Sequence, residues 1–500
     1  LTLVWVWSLL AGVWIDPENF ADAPRQSLVI FMGYFVLLAF PLILVVPYSA
    51  FRSLAGEIED GTYELLSITT LSPRQIIGGK MGSALLQMML YLSAVSPCLA
   101  FTYLLPGVDI VTIGLILLYV TVASALLSIL SLLLATIASQ RHWQILLQVF
   151  LIVGLCFALW CVCGFGAVMI QERAFESAAR EFGFWFGVGW ILANAASLFL
   201  ILFMCAKAMI TFDSENRSTG IRMALLLPPL ITFGGLTFAN LNFEYEPESI
   251  LAAIIPIAIY WGIAGSMITA ESPRLSARMR RQLPQSLLGR ACSAWFNPGP
   301  ASGYMFVVLN FLAVPLVVTA LGYLNLSDQN NPFAATLELA KQIELAWVLW
   351  LYLVIFLGIN RLFITRLHHV AAVNVFLGFL TTLLLFLAGI AAPVLVQFFA
   401  TGAGSMAYTQ LHVSNLPYTC VELFASSRNE AALFQVKWML AAAAAAVWLL
   451  NARGIWLSLL YDRAATPTRV VADDVSRSAG HEPREPEKRN PWDEQDERAQ

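Results

Sequence analysis

The sequence predicts an all-α polytopic membrane protein with about 12 transmembrane helices. Three observations carry that expectation. Of the 500 residues 59% are hydrophobic and only 12% charged, whereas about a quarter of a soluble protein is charged. The mean hydropathy is +0.73. Apolar stretches of roughly 20 residues, enough to cross a hydrocarbon core of about 30 Å, recur along almost the whole length. Short segments of alternating hydrophobicity, the mark of a membrane β-barrel, do not occur.

In chain order the expected spans cover 1–15, 27–51, 81–105, 110–138, 145–170, 184–210, 223–240, 250–270, 301–326, 346–365, 370–400 and 436–461. The first is short for a span, and the sequence opens on Leu1 without a Met, so an upstream piece is expected. Pro41, Pro97, Pro228, Pro256, Pro315 and Pro393 fall inside spans, where membrane helices tolerate proline better than soluble ones do. From about residue 462 the chain becomes charged and nearly free of large apolar side chains. Such a segment cannot bury enough surface to offset its ordering entropy, which predicts a disordered cytoplasmic tail over 462–500. The seven cysteines are scattered without a Cys-x-x-Cys or Cys/His cluster, so neither a zinc site nor a disulfide framework is indicated.

Basic residues orient the spans, because cytoplasmic loops carry the excess of Lys and Arg. With both termini cytoplasmic, the outside loops hold only Arg25, Arg173, Arg180, Lys341, Arg428 and Lys437. The inside loops hold more than twice as many before the tail begins, including the run "RLSARMRRQLPQSLLGR" at 274–290.

Catalytic and energy-converting chemistry is thin. There is no GxxxxGK[ST] phosphate loop: in "IIGGKMG" the residue after Lys80 is Met81, which cannot ligate magnesium. The chain is therefore not expected to hydrolyse ATP. His142, His368, His369, His412 and His481 show no metal-ligand spacing, and the ten residues between His412 and Glu422 make that pairing uninformative. No Asp, Glu or His stands inside an expected span. Lys207 and Arg361 lie near span ends, where they are expected to snorkel. Asn194, Asn310, Asn374 and Gln87 are expected to hydrogen-bond between helices. Intramembrane carboxylates mark proton relays and ion pathways; without them, transport energy is expected to enter from outside the membrane core.

One inside segment stands apart: "GEIEDGTYELLSITTLSPRQIIGGK", residues 56–80. Glu57, Glu59, Asp60 and Glu64 fall close together. Asp60 or Thr62 can cap a short helix whose apolar face is Leu65, Leu66 and Ile68. Ser72 then reads as an N-cap, with Pro73 at the first helical position and Gln75 placed to close a capping box. Acids gathered on an otherwise basic side point to a docking element that offers a partner mixed apolar and anionic contacts.

At Glu57, Glu59, Gly61, Thr62, Glu64, Leu65, Leu66, Leu71, Ser72, Ile76, Gly79 and Lys80 the sequence resembles the type-2 ABC exporter permease family (ABC-2). The shared pattern is "E-x-E-x-G-T-x-E-L-L-…-L-S-x-x-x-I-x-x-G-K". Asp60 and Thr70 depart from it, standing where a basic or neutral residue and a Pro are frequent. The resemblance covers about residues 27–210. It implies a six-span permease unit over 1–210 with a cytoplasmic coupling loop at 52–80. Residues 211–461 form a second six-span region, which a degenerate duplication would explain. The inside loop at 271–300 stands where a repeat would place its coupling loop, yet it is basic; an interfacial segment held by anionic lipid fits it equally well.

The function implied is an exporter subunit of the bacterial inner membrane, driven by a separate ATPase. That ATPase would dock on Glu57, Glu59, Asp60, Gly61, Thr62, Glu64, Leu65, Leu66, Ser72 and Pro73 and would hold the ATP, with no cofactor in this chain. The other partners implied are the lipid bilayer and a second unit, as a homodimer or as a pseudo-dimer within one chain, with no nucleic acid. Two further classes stay open. A secondary transporter would suit 12 spans, and a membrane enzyme acting on lipid or glycan would find room in the outside segment 401–435.

Overall fold

Hydrocarbon offers no partner to a backbone N–H or C=O, so apolar runs of this length close their hydrogen bonds within helices. The structure is a computed structural model that describes residues 23–61, 71–103, 109–137, 141–171, 178–212, 215–242, 247–272, 275–282, 294–326, 333–368, 375–401, 407–425 and 429–459, with single positions elsewhere. Among the described residues there are helices and no strands. Eleven helical stretches among the described residues are long and apolar enough to cross a membrane. The protein is a polytopic, all-helical membrane protein.

The first span joins α1 (Ala23–Phe40) to α2 (Val46–Glu59) through one π-helical turn at Pro41–Val45. Pro41 brings no N–H and crowds the preceding turn, and a wider turn absorbs the clash. The Val46 N–H bonds the Pro41 carbonyl across it, and the buried Ser124 hydroxyl donates to the Leu42 carbonyl. The remaining elements of the first half are α3 (Pro73–Tyr103), α4 (Ile110–Ile137), α5 (Arg141–Gln171) and α6 (Phe182–Ile210). Two helices follow at the junction, α7 (Ser218–Leu225) and α8 (Leu227–Asn242). The second half comprises α9 (Pro247–Ile268), α10 (Ala277–Gln282), α11 (Pro300–Leu326), α12 (Phe333–Leu367), α13 (Val375–Thr401), α14 (Leu416–Phe424) and α15 (Glu430–Leu459).

Each half has its own apolar core. Phe31, Phe35, Leu38 and Phe51 centre the first; Trp261, Phe306, Phe311 and Tyr352 centre the second. The helices meet in one pattern twice. In the first half α1–α2 packs on α3, α4 and α5, while α4 packs on α5 and α6, and α3 on α4 and α6. In the second half α9 packs on α11, α12 and α13, while α12 packs on α13 and α15, and α11 on α12 and α15. Between them α8 lies against both α6 and α9.

Eleven of the expected spans correspond to these helices. The twelfth, 1–15, and the tail at 462–500 lie outside the described residues apart from four isolated positions in the former. One helix end differs from expectation: α2 runs on to Glu59, and with α3 beginning at Pro73 as expected, most of the described part of 52–80 is helix rather than loop. Of the expected cross-linkers, Gln87 accepts from Ser49 Oγ at 2.7 Å and Asn194 Oδ1 from Thr232 Oγ1 at 3.0 Å, each joining two helices. Asn310 instead bonds its own helix, at the Phe306 carbonyl, and Asn374 lies outside the described residues. Arg361 does not snorkel. It is 6% exposed and turns inward, donating from Nη1 to Asn451 Oδ1 at 2.7 Å and to the Asn451 carbonyl at 3.1 Å. An amide and a carbonyl on α15 thus engage Nη1, while the buried Nε has no hydrogen-bond partner.

Candidate functional site

The acidic segment closes on itself at its root. Glu57, in the last turn of α2, and Lys80, in the second turn of α3, form an ion pair. Lys80 Nζ also donates to the Ser53 carbonyl at 3.0 Å. The first and last residues of the "E-x-E…G-K" pattern therefore meet in space, 23 residues apart in sequence. Gly61 follows α2 with φ +69°, a left-handed conformation that glycine adopts without a Cβ penalty. At the far side Gln75 makes its half of the capping box: the Ser72 N–H and hydroxyl both donate to Gln75 Oε1 at 2.9 Å, and Pro73 occupies the first helical position. Glu59, Asp60 and Gly61 are exposed at the end of α2. Thr62, Glu64, Leu65 and Leu66, and with them the short helix expected there, lie outside the described residues. Gly78, Gly79 and Lys80 sit within α3.

A second polar cluster joins α7, the end of α9 and the start of α11. Arg222 is fully buried. Its Nη2 pairs with Glu271 Oε2 at 2.6 Å and donates to the Gly299 carbonyl at 3.2 Å. Its Nη1 donates to the Trp295 carbonyl at 2.8 Å and to Ser302 Oγ at 3.2 Å. Glu271 in turn accepts from the Gly299 N–H at 2.9 Å and from Ser218 Oγ at 2.6 Å. The Phe306 ring lies 5.9 Å from the guanidinium carbon. Burial of a charge needs partners of this kind; of the guanidinium nitrogens only Nε has none.

The third cluster was not expected. Between α13 and α15 the chain turns back into the bundle through a 3-10 turn, Gln410–Ser414, and then α14. Ser414 Oγ donates to the Gly389 carbonyl at 3.0 Å, and the Tyr352 hydroxyl donates to the Val413 carbonyl at 2.9 Å. Gly389 and Tyr352 stand near the middle of the apolar stretches Val375–Ala400 and Leu339–Leu367. The tip of this segment thus reaches the mid-length of two spans. Irregular backbone survives at that depth only if protein groups satisfy it. Asn415 provides one such contact, its side chain accepting from the Tyr418 N–H at the start of α14. Thr419 Oγ1, Tyr352 OH and Tyr408 OH form another, a chain of hydroxyls with 3.0 Å steps.

His412 is fully buried in this segment. Its Nε2 faces Gln397 Oε1 on α13. The Gln397 amide nitrogen donates to the Ala407 carbonyl at 2.9 Å, which fixes its oxygen toward the imidazole. Nε2 therefore carries a proton, and Nδ1 has no hydrogen-bond partner. Tyr408 stacks on the ring at 5.8 Å and Tyr418 meets it edge-on at 4.7 Å. His412 stands inside no span, as expected; the re-entrant segment brings its imidazole against α13 at Gln397, near the end of the apolar stretch Val375–Ala400. The signal available was Asn415 followed by Pro417, an N-cap with Pro in the first turn. Among the described residues no group of three or more His, Cys, Asp or Glu is placed to hold a metal ion.

Compared with protein-family models, curated proteins and solved structures, this chain matches none.

Proposed function

We propose that the chain is the membrane-spanning permease subunit of an ABC-2-type transporter, an exporter driven by a separate ATPase that docks on residues 56–80. The observation that carries this function is the Glu57–Lys80 pair, which ties the two ends of the resembling pattern into one hairpin root. Three other positions of the pattern acquire local physical reasons: Gly61 through its positive φ, Ser72 through its bonds to Gln75, and Glu59 through its exposure at the end of α2. A hairpin held at its root presents exposed acids on a fixed support, which is what a motor protein needs in order to push on a bundle. The repeated packing pattern supports a pseudo-dimer within the chain, with 211–461 as the second unit.

Glu57 is committed to Lys80, so its reversal would disturb the hairpin itself. The cleaner test reverses Glu59 and Asp60 to Lys and measures co-purification of an ATP-binding subunit from cells that express the chain. Loss of co-purification with unchanged thermal stability is expected. Undiminished co-purification would count against docking here.

A secondary transporter is favoured by one observation, the buried imidazole of His412 packed against a span at Gln397, since His can exchange protons near neutral pH. Its test is uptake by the lone chain in liposomes under an imposed pH gradient. Under the ATPase-driven function no gradient-driven uptake occurs, and His412→Gln changes nothing in that assay.

A further inference from the structure

At the end of the bundle where α3 begins and α6 finishes there is an open cleft of about 410 Å³. Its walls come from both halves: Ser72 and Arg74 from the start of α3, Lys207 from the last turn of α6, Glu215 from the linker after it, and Arg278 from α10. Three cations and one carboxylate line it. The carboxylate is already engaged, because Glu215 Oε1 lies 3.1 Å from Arg278 Nη1. Among the described residues neither the Arg74 guanidinium nor the Lys207 ammonium has an ion-pair or hydrogen-bond partner. The first turn of α3, a 31-residue helix, opens on the same cleft and adds the positive end of its dipole.

A cleft with this excess of positive charge, in which Arg74 and Lys207 have no internal anion, is complementary to a phosphate. Lys offers a point charge and Arg a planar fork, and together they can surround a tetrahedral oxyanion from different sides. We infer that this cleft is a phosphate-binding site that bridges the two halves of the chain. The phosphate can belong to an anionic lipid headgroup, since Lys207 and Arg74 stand at the ends of membrane spans, or it can be free in solution. A phosphate seated there would tie the start of α3, at the foot of the 56–72 segment, to α10 in the basic 271–300 segment. The basic segment would then act as an anion clamp between the halves, independently of which energy source drives the protein.

The full-length protein in neutral detergent is offered two probes. In mixed micelles of phosphatidylglycerol and phosphatidylcholine, native mass spectrometry reads which lipid is retained. In a separate arm, inorganic phosphate at millimolar concentration is tested for a thermal shift, against chloride at equal ionic strength. Arg74→Gln with Lys207→Gln removes two cations that have no internal partner, and its melting temperature without probe reports that it folds. Arg278→Gln is the second variant. A headgroup site predicts preferential retention of phosphatidylglycerol that falls about fivefold or more in the double variant. A site for free phosphate predicts a phosphate-specific stabilisation lost in the same variant. Equal retention of both lipids together with no phosphate-specific shift would overturn the proposal, as would either signal persisting undiminished in both variants.

Discussion

The turn after α2 and the turn after α9 occupy the same place in the two packing patterns, and they are held in different ways. In the first an acid at the helix end, Glu57, reaches Lys80 on the following span; their side chains are 28% and 22% exposed. In the second an acid at the corresponding end, Glu271, reaches the N–H of Gly299 at the start of α11 and the guanidinium of Arg222, which is 0% exposed. Both turns contain a glycine with positive φ, Gly61 at +69° and Gly299 at +145°. Both following spans open on a proline, Pro73 and Pro300. An acid at the helix end or just past it therefore holds each turn to a cation, once half-exposed and once sealed. A half-exposed turn can yield to a partner with little loss. A sealed one cannot, because opening it strands a charge in the bundle.

The largest effect that separates the two turns follows from that difference. Arg222→Met leaves Glu271 without its cation in a nearly closed site and should destabilise the protein by about 3–5 kcal/mol. Thermal unfolding in detergent checks it, and Glu271→Gln should fall in the same range. If Arg222→Met melts like the parent, the lock is not structural. A smaller loss is expected for Tyr352→Phe, which removes the donor to the Val413 carbonyl at mid-span depth; about 1–3 kcal/mol is the cost of a buried acceptor left alone. Cysteine labelling at Val413 should then rise, since the re-entrant tip loses one of its ties to the spans. Gly61→Ala forces a Cβ into the left-handed region at a cost of about 1–2 kcal/mol, whereas Gly56→Ala, in the helical part of the same hairpin, should be neutral or slightly stabilising. Lys80→Gln is the mildest, within about 1 kcal/mol, because the pair it breaks is partly solvated and screened. Raising the salt concentration should narrow the Lys80→Gln difference and leave that of Arg222→Met unchanged.

The spans were legible because an apolar run of sufficient length has no other stable form in lipid, and the capping box at Ser72 and Gln75 was legible because it is local. What escaped was everything set by distance. Glu57 and Lys80 are 23 residues apart and Arg222 and Glu271 are 49 apart; only the packing of helices brings them together. The continuation of α2 through Gly56 to Glu59 was missed for the same reason, since a polar end reads as loop until its partner on α3 is seen. The segment from Gln410 to Phe424 has no long apolar run, so hydropathy leaves it outside the membrane. Its depth depends on hydroxyls and amides that bond the middle of α12 and α13. In the acidic segment, Glu57, Gly61, Ser72 and Pro73 have places that explain their residue types, while Glu59 and Asp60 are exposed as a docking surface requires. The residues Thr62, Glu64, Leu65 and Leu66 lie outside the described part of the chain.

The central claim, that an ATPase subunit meets the membrane domain at the end of α2, is tested most directly by photo-crosslinking in intact cells. A benzophenone side chain is placed at Asp60, exposed beyond α2, and in a control at Leu411, exposed in the re-entrant segment. Adducts are isolated through the chain and identified by mass spectrometry. The account predicts an adduct from position 60 with a protein that carries Walker motifs, absent from position 411 and lost when Glu59 is Lys. Crosslinking at position 60 that captures no ATP-binding subunit, while the unlabelled chain alone takes up substrate under a pH gradient, would contradict it.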